Sequence, residues 1–151
     1  MRILIATDGS EYSNAAIDRC AQLIADPVDT RVKVVSAFEE AYVLAAEPFA
    51  LSADFYQQVA DTARQQAGLF AEDGAKRFRA KFAAHTEMPV TTEVMRGDPA
   101  QQIVALAKEW KADLIVVGSH GRGFWGRLIG SVSDAVVHHA PCSVIVVRMP
   151  A

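Results

Sequence analysis

Residues 118–131 read Gly-Ser-His-Gly-Arg-Gly-Phe-Trp-Gly-Arg-Leu-Ile-Gly-Ser and hold five of the chain's nine glycines. Glycines let backbone N–H groups approach a ligand closely, and a helix start adds unpaired donors and a positive dipole end. Such a stretch, running from a strand end into a helix, has the design of a phosphate cradle. Arg122 and Arg127 add a tight basic pair whose guanidinium groups can fork onto phosphate oxygens. The competing reading is a plain connecting loop with solvated arginines. Gly121 to Gly126 matches a dinucleotide fingerprint by letter, but it stands in the wrong β-α unit and no acidic residue follows Asp134. A G-x-x-x-x-G-K-[ST] loop is absent, which excludes a P-loop NTPase.

Other reactive types are scattered. His120 has no evident acid, nucleophile or metal partner and reads as a hydrogen-bonding loop residue. His138 and His139 followed by Cys142 resemble a metal cluster on paper, yet adjacent helical residues point about 100° apart and His suits a helix C-terminus. Cys20 and Cys142 lie far apart in sequence, forming neither a redox nor a metal pair, and read as reduced packing residues.

Five short runs can position this chemistry: Arg2 to Thr7, Arg31 to Phe38, Val90 to Met95, Asp113 to Gly118 and Ser143 to Arg148. Four have continuous apolar middles, as strands covered on both faces do, which points to a mostly parallel sheet. Helical stripes lie between them: Ile17, Cys20, Ala21 and Ile24; Val59, Ala63, Ala67, Phe70, Phe78 and Phe82, within roughly residues 53–84; Ile103, Leu106, Ala107 and Trp110. Asp98-Pro99 predicts a capped start for the third helix, and Pro141 stops a short last helix from about Ser131 to Ala140. The alternating order predicts an α/β doubly wound domain with helices on both faces of a five-stranded parallel sheet, one domain over residues 1–151. Glu39 to Ser52 is long and apolar for a surface connection.

Composition narrows the classes. With 151 residues, 51% hydrophobic and 22% charged, the chain can bury a self-sufficient core. Its net charge of −3 argues against broad binding to nucleic acid or anionic membrane. No apolar run reaches membrane-span length, and Met1 to Ile5 is too short for a signal peptide, so a cytoplasmic location is expected.

The chain resembles the universal stress protein family over essentially its whole length. The resemblance rests on the opening strand into Asp8-Gly9-Ser10, the Gly97-Asp98-Pro99 turn and Val-Val-Gly-Ser-His-Gly at 116–121. It continues through Gly130-Ser131-Val132-Ser133 and His139-Ala140-Pro141-Cys142 into the closing Val-Ile-Val-Val strand. It implies a three-layer α/β/α, Rossmann-like sheet of strand order 3-2-1-4-5, and ATP binding with Mg2+ or Mn2+ held through the phosphates. By that resemblance Asp8 bonds the ribose and the backbone of Ala37 meets adenine. Gly118 approaches the ribose or α-phosphate, while Gly121, Gly130, Ser131 and Val132 cradle the phosphates; Ala6, Thr7, Val117, Arg122 and Ser133 complete the expected site. ATP-binding members carry G-2x-G-9x-G-(S/T), and here only eight residues separate Gly121 from Gly130. A loss within a helix would turn Gly130 and Ser131 by about 100°; Gly123 and Gly126 favour absorption in the loop.

Asp8 also reads as a turn or capping residue, and Ser131 as the N-cap of the last helix with Asp134 three residues on. No general base stands ready beside a γ-phosphate, so turnover is expected to be slow or absent. Three functions follow: an ATP-binding stress-response or signalling module, a homodimeric interaction scaffold without nucleotide, and a weak phosphohydrolase using Asp8. The resemblance also implies a homodimer through Ser143 to Arg148, whose apolar edge invites pairing.

Overall fold

The computed structural model describes residues 1–24, 28–39, 53–82, 87–120 and 129–149. The elements run β1 (Arg2–Ala6), α1 (Glu11–Leu23), β2 (Arg31–Phe38), α2 (Ala53–Lys81), β3 (Val90–Arg96), α3 (Pro99–Trp110), β4 (Leu114–Gly118), α4 (Ser131–His139) and β5 (Ser143–Val147). All four strand pairings are parallel, in the order β3-β2-β1-β4-β5. The expected α/β sheet and its strand order are therefore present, and the strand order reverses between β1 and β4. That reversal opens a crevice at the carboxyl ends of the strands.

The continuous apolar middles of β1 and β4 are buried because helices cover both sheet faces. One core layer joins Ile3, Ile5, Val32 and Val34 to Ile17 and Cys20 of α1 and Phe78 of α2. The opposite layer joins Leu4, Val35, Ile115 and Val117 to Ile103, Leu106 and Ala107 of α3 and Val136 of α4. Burial pushes the Cys20 thiol up to about 12, and burial followed by the Asp113 charge raises that of Cys142. Both cysteines are free.

The start of α3 is as expected: Asp98 accepts from Gln101 N–H at 2.8 Å, with Pro99 as the first helical residue. Two expectations need correction. β5 has the same continuous apolar run as the inner strands, yet Val144, Ile145 and Val146 are only half-buried, because β5 is an edge with a neighbour on one side. Ser131 is not the N-cap of α4. Gly130, tied by its N–H to the Ser119 carbonyl at 2.6 Å, takes that position and, having no side chain, gives no side-chain cap to the helix that starts immediately after it. The apolar segment at 40–52 lies outside the described residues, as do Gly121, Arg122, Gly123, Gly126 and Arg127.

Candidate functional site

A cavity of about 530 Å³ opens in the crevice. Of the expected site residues, Ala6, Thr7, Asp8, Ala37, Val117, Gly118, Gly130, Ser131, Val132 and Ser133 all line it. Gly121 and Arg122 lie outside the described residues.

Strand register makes the wall at Ala37. Thr7 N–H donates to Val35 O at 2.8 Å, and Gly97 N–H donates to Phe38 O at 2.9 Å. Backbone groups along a strand alternate between its two neighbours. Val35 thus faces β1 and Phe38 faces β3, and Ala37 turns its N–H and C=O toward the β1 side. The registered β1–β2 pairs end at Ala6↔Val35, so this donor and acceptor project past the end of the ladder. A planar heterocycle with adjacent acceptor and donor atoms matches such an edge.

The turn after β1 is held by short bonds. Asp8 Oδ1 accepts from Ser10 N–H at 3.0 Å, Gly9 N–H donates to Thr7 Oγ1 at 3.2 Å, and Ser10 Oγ caps α1 by accepting from Ser13 N–H at 3.2 Å. Asp8 therefore has the turn role that its sequence suggested while also lining the cavity. Thr7 Oγ1 lies 3.0 Å from Ser13 Oγ, and both residues are buried on the cavity wall.

At the opposite end, Ser133 Oγ donates to Gly130 O at 2.9 Å and lies 3.3 Å from Ser119 O, stitching the start of α4 to the end of β4. Gly130 is tied to Ser119 and Ser131 reaches the cavity, while residues 121–128, which hold most of the shortened segment, lie outside the described residues. The first turns of α1, α3 and α4 supply Ser13, Pro99 and Ser131 to the lining. Three positive helix ends thus converge on one space, which favours an anionic ligand.

Gly118 is explained differently from its sequence reading. A β-carbon there would stand 2.7 Å from Tyr12 C, 2.8 Å from Tyr12 O and 2.9 Å from Ser13 N. The glycine is required because the α1 backbone passes against the end of β4, whether or not a ligand is close.

Sequence reading missed several lining residues: Ser13, Val35, Ser36, Ala63, Gln66, Ala67, Phe70, Met95, Pro99, Ile103 and His120. Ala63, Gln66, Ala67 and Phe70 share one face of α2 and wall the cavity. The helical stripe was visible, but its position over the cavity depends on where α2 crosses the sheet. His120 Nδ1 lies 3.0 Å from Ser119 Oγ and its ring 5.1 Å from that of Tyr12, so its loop role comes with a place on the wall. His138 Nε2 faces Asp134 at 3.7 Å while His139 Nδ1 meets Ala135 O at 2.9 Å. Among the described residues no group of three or more His, Cys, Asp or Glu is placed to hold a metal, and no helix is long and apolar enough to cross a membrane.

Comparison with known proteins gives this geometry a context. The model of the universal stress protein family matches residues 1–148. A universal stress protein of Thermus aquaticus is 34% identical over 148 residues, covering 97% of each chain. The solved UspA of Lactobacillus plantarum is 30% identical with a TM-score of 0.74, over 98% of this chain and 97% of that one. The same fold is found in a universal stress protein solved in complex with cAMP, at 23% identity and a TM-score of 0.64 over 99% and 98% of the two chains. It is found again in an Arabidopsis thaliana family protein with AMP bound, at 19% identity and a TM-score of 0.59 over 100% and 93%. The family match over nearly the whole sequence, with the shared α/β fold, shows that the chain belongs to the universal stress protein family.

Proposed function

We propose that the crevice binds ATP and that the chain is a cytoplasmic, nucleotide-dependent stress-response or signalling module with slow or no hydrolysis. The observation that carries this reading is that the Ala37 backbone edge, Asp8 and the start of α4 at Ser131 all line the same cavity. In this reading Ala37 meets the Watson–Crick edge of adenine through its N–H and C=O. Asp8 accepts from the ribose hydroxyls. Ser131 and the first N–H groups of α4 receive the phosphates, with Val132 and Ser133 beside them; Gly121 and Arg122 belong to the same proposal by family resemblance. A Mg2+ or Mn2+ ion would be held through the phosphates and screen their charge. Two proteins of this fold carry cAMP and AMP, so the fold itself accommodates adenine nucleotides.

Titration calorimetry with ATP and magnesium tests the reading residue by residue. Asp8→Ala removes a hydrogen-bond acceptor from the cavity lining and is expected to weaken ATP roughly tenfold, a loss of about 1.5 kcal/mol. Unchanged affinity would remove Asp8 from the sugar site.

The proposal includes a homodimer formed through β5. Its half-buried Val144, Ile145 and Val146 form an apolar edge, and Val137 of the neighbouring α4 is 45% exposed. Exposed apolar edges of this kind pair with another strand unless charge blunts them. Sedimentation is expected to give twice the 16.3 kDa chain mass, and Ile145→Lys is expected to give a folded monomer. A wild-type monomer at every concentration would contradict the dimer.

A further inference from the structure

Gly9 has φ +73°, in the left-handed region, and a β-carbon added there would run into the Phe70 ring: 2.9 Å from Cγ and nearer still to Cδ1 and Cε1. The ring of an α2 residue thus fills the space that any other amino acid at position 9 would need. Phe70 is half-buried and also lines the cavity, one helical turn beyond Gln66 and Ala67. On the other side of the turn, Asp8 Oδ1 is committed to Ser10 N–H and the Gly9 N–H to Thr7 Oγ1. The Asp8-Gly9 peptide is therefore gripped from one side by hydrogen bonds of the β1–α1 turn and from the other by an aromatic ring.

From this contact we infer that Phe70 is a positioning residue for sugar recognition: its ring presses the Asp8-Gly9 turn into the orientation in which the Asp8 carboxylate meets a ribose 2′-hydroxyl. The inference rests on the nucleotide reading above and adds the part that selects ribonucleotides over deoxyribonucleotides. Glycine has no side chain of its own to hold the turn against α2, so the Phe70 ring supplies that contact. Small displacements of a hydrogen-bonding group cost most of its benefit, since the interaction weakens steeply with misalignment. The result is a division of labour: hydrogen bonds within the turn fix its shape, and Phe70 fixes where the turn stands against α2.

The contact can be broken from either side. Titrations of ATP and 2′-deoxy-ATP are made with the wild-type chain, Phe70→Ala, Phe70→Tyr and Gly9→Ala, with melting curves showing that each variant folds. The wild-type chain is expected to bind ATP roughly tenfold more tightly than 2′-deoxy-ATP, the worth of one charge-assisted hydrogen bond. Phe70→Ala and Gly9→Ala are expected to bring that ratio close to one, mainly by weakening ATP, while Phe70→Tyr keeps the ring and the ratio. A general loss of stability would weaken both ligands alike and leave the ratio untouched, which is why the ratio is the readout. Wild-type discrimination persisting in both Phe70→Ala and Gly9→Ala overturns the inference, as does a wild-type chain that binds both nucleotides equally. If the wild-type chain binds neither, the nucleotide reading itself fails and this inference falls with it.

Discussion

Gly118→Ala is expected to lower the melting temperature by about 6–12 °C. The added methyl group would meet the carbonyl carbon and oxygen of Tyr12 and the amide nitrogen of Ser13 at 2.7–2.9 Å, distances that real β-carbons do not tolerate. A flexible side chain can swing away from such a contact, but these atoms are backbone in the first turn of α1. Relief therefore requires α1 to move off β4 as a body. That movement would disturb the Thr7–Ser13 and Ser10–Ser13 bonds that fix the β1–α1 turn. Overpacking costs typically 1–3 kcal/mol, and an unyielding backbone neighbour places this site at the top of that range. At 2–4 °C per kcal/mol for a chain of this size, the stated shift follows. A shift under 2 °C in calorimetry would mean that α1 and β4 are not in close backbone contact.

Phe78→Ala is expected to cost about 4 kcal/mol, within the 3–5 kcal/mol range for removing a buried aromatic ring. Phe78 is completely buried and the largest fully buried side chain among the described residues. It packs on Phe82 with ring centroids 5.3 Å apart and joins α2 to the layer formed by Ile3, Ile5, Val32 and Val34. Gly74, one turn earlier, lets α2 approach so closely that a β-carbon would lie 3.0 Å from Ile17 Cδ1 and 3.1 Å from Val34 Cγ1. The helix is therefore seated tightly here, with little freedom for neighbours to collapse into the space left by the ring. Urea unfolding should show the midpoint falling while the slope is unchanged. A loss below 1 kcal/mol would show that α2 is held mainly from elsewhere along its length. Because the same helix carries Ala63, Gln66, Ala67 and Phe70 to the cavity, its seating at Phe78 also supports that wall.

The fold was legible because its information is local. Val-Ile-Val-Val runs, helical stripes and the Asp98-Pro99 start each declare an element within a few residues. The β1–β4 reversal then follows from the alternating order and the family resemblance, and the strand order is the expected one. The candidate site was half legible for a related reason. Asp8, Ala37, Gly118 and Ser131 stand at strand ends or a helix start, where a doubly wound sheet places its ligands.

The missed residues depend on tertiary position. Nothing within α2 says that Ala63, Gln66, Ala67 and Phe70 face a cavity while Phe78 on the same helix faces solid core. The meaning of glycine was also hidden, since sequence shows only that a side chain is missing. Gly118 answers to the passing α1 backbone and Gly9 to the Phe70 ring, and neither neighbour is close in sequence to its glycine. β5 lies at the sheet edge, as the expected strand order has it; only its continuous apolar run suggests more cover than its half-buried residues receive. An apolar edge of that composition is itself the observation behind the proposed dimer.

The nucleotide reading meets its most direct test in a melting curve of the wild-type chain with and without ATP and magnesium. A ligand that binds only the folded chain stabilises it by about 2.7 kcal/mol at one hundred times its dissociation constant. For 151 residues that corresponds to a rise of about 5–10 °C. The account predicts this rise with ATP and a much smaller one with the same concentration of inorganic triphosphate, which lacks the groups that Ala37 and Asp8 are placed to meet. No rise with saturating ATP, in a preparation whose released small molecules contain no adenine nucleotide by mass spectrometry, would contradict it.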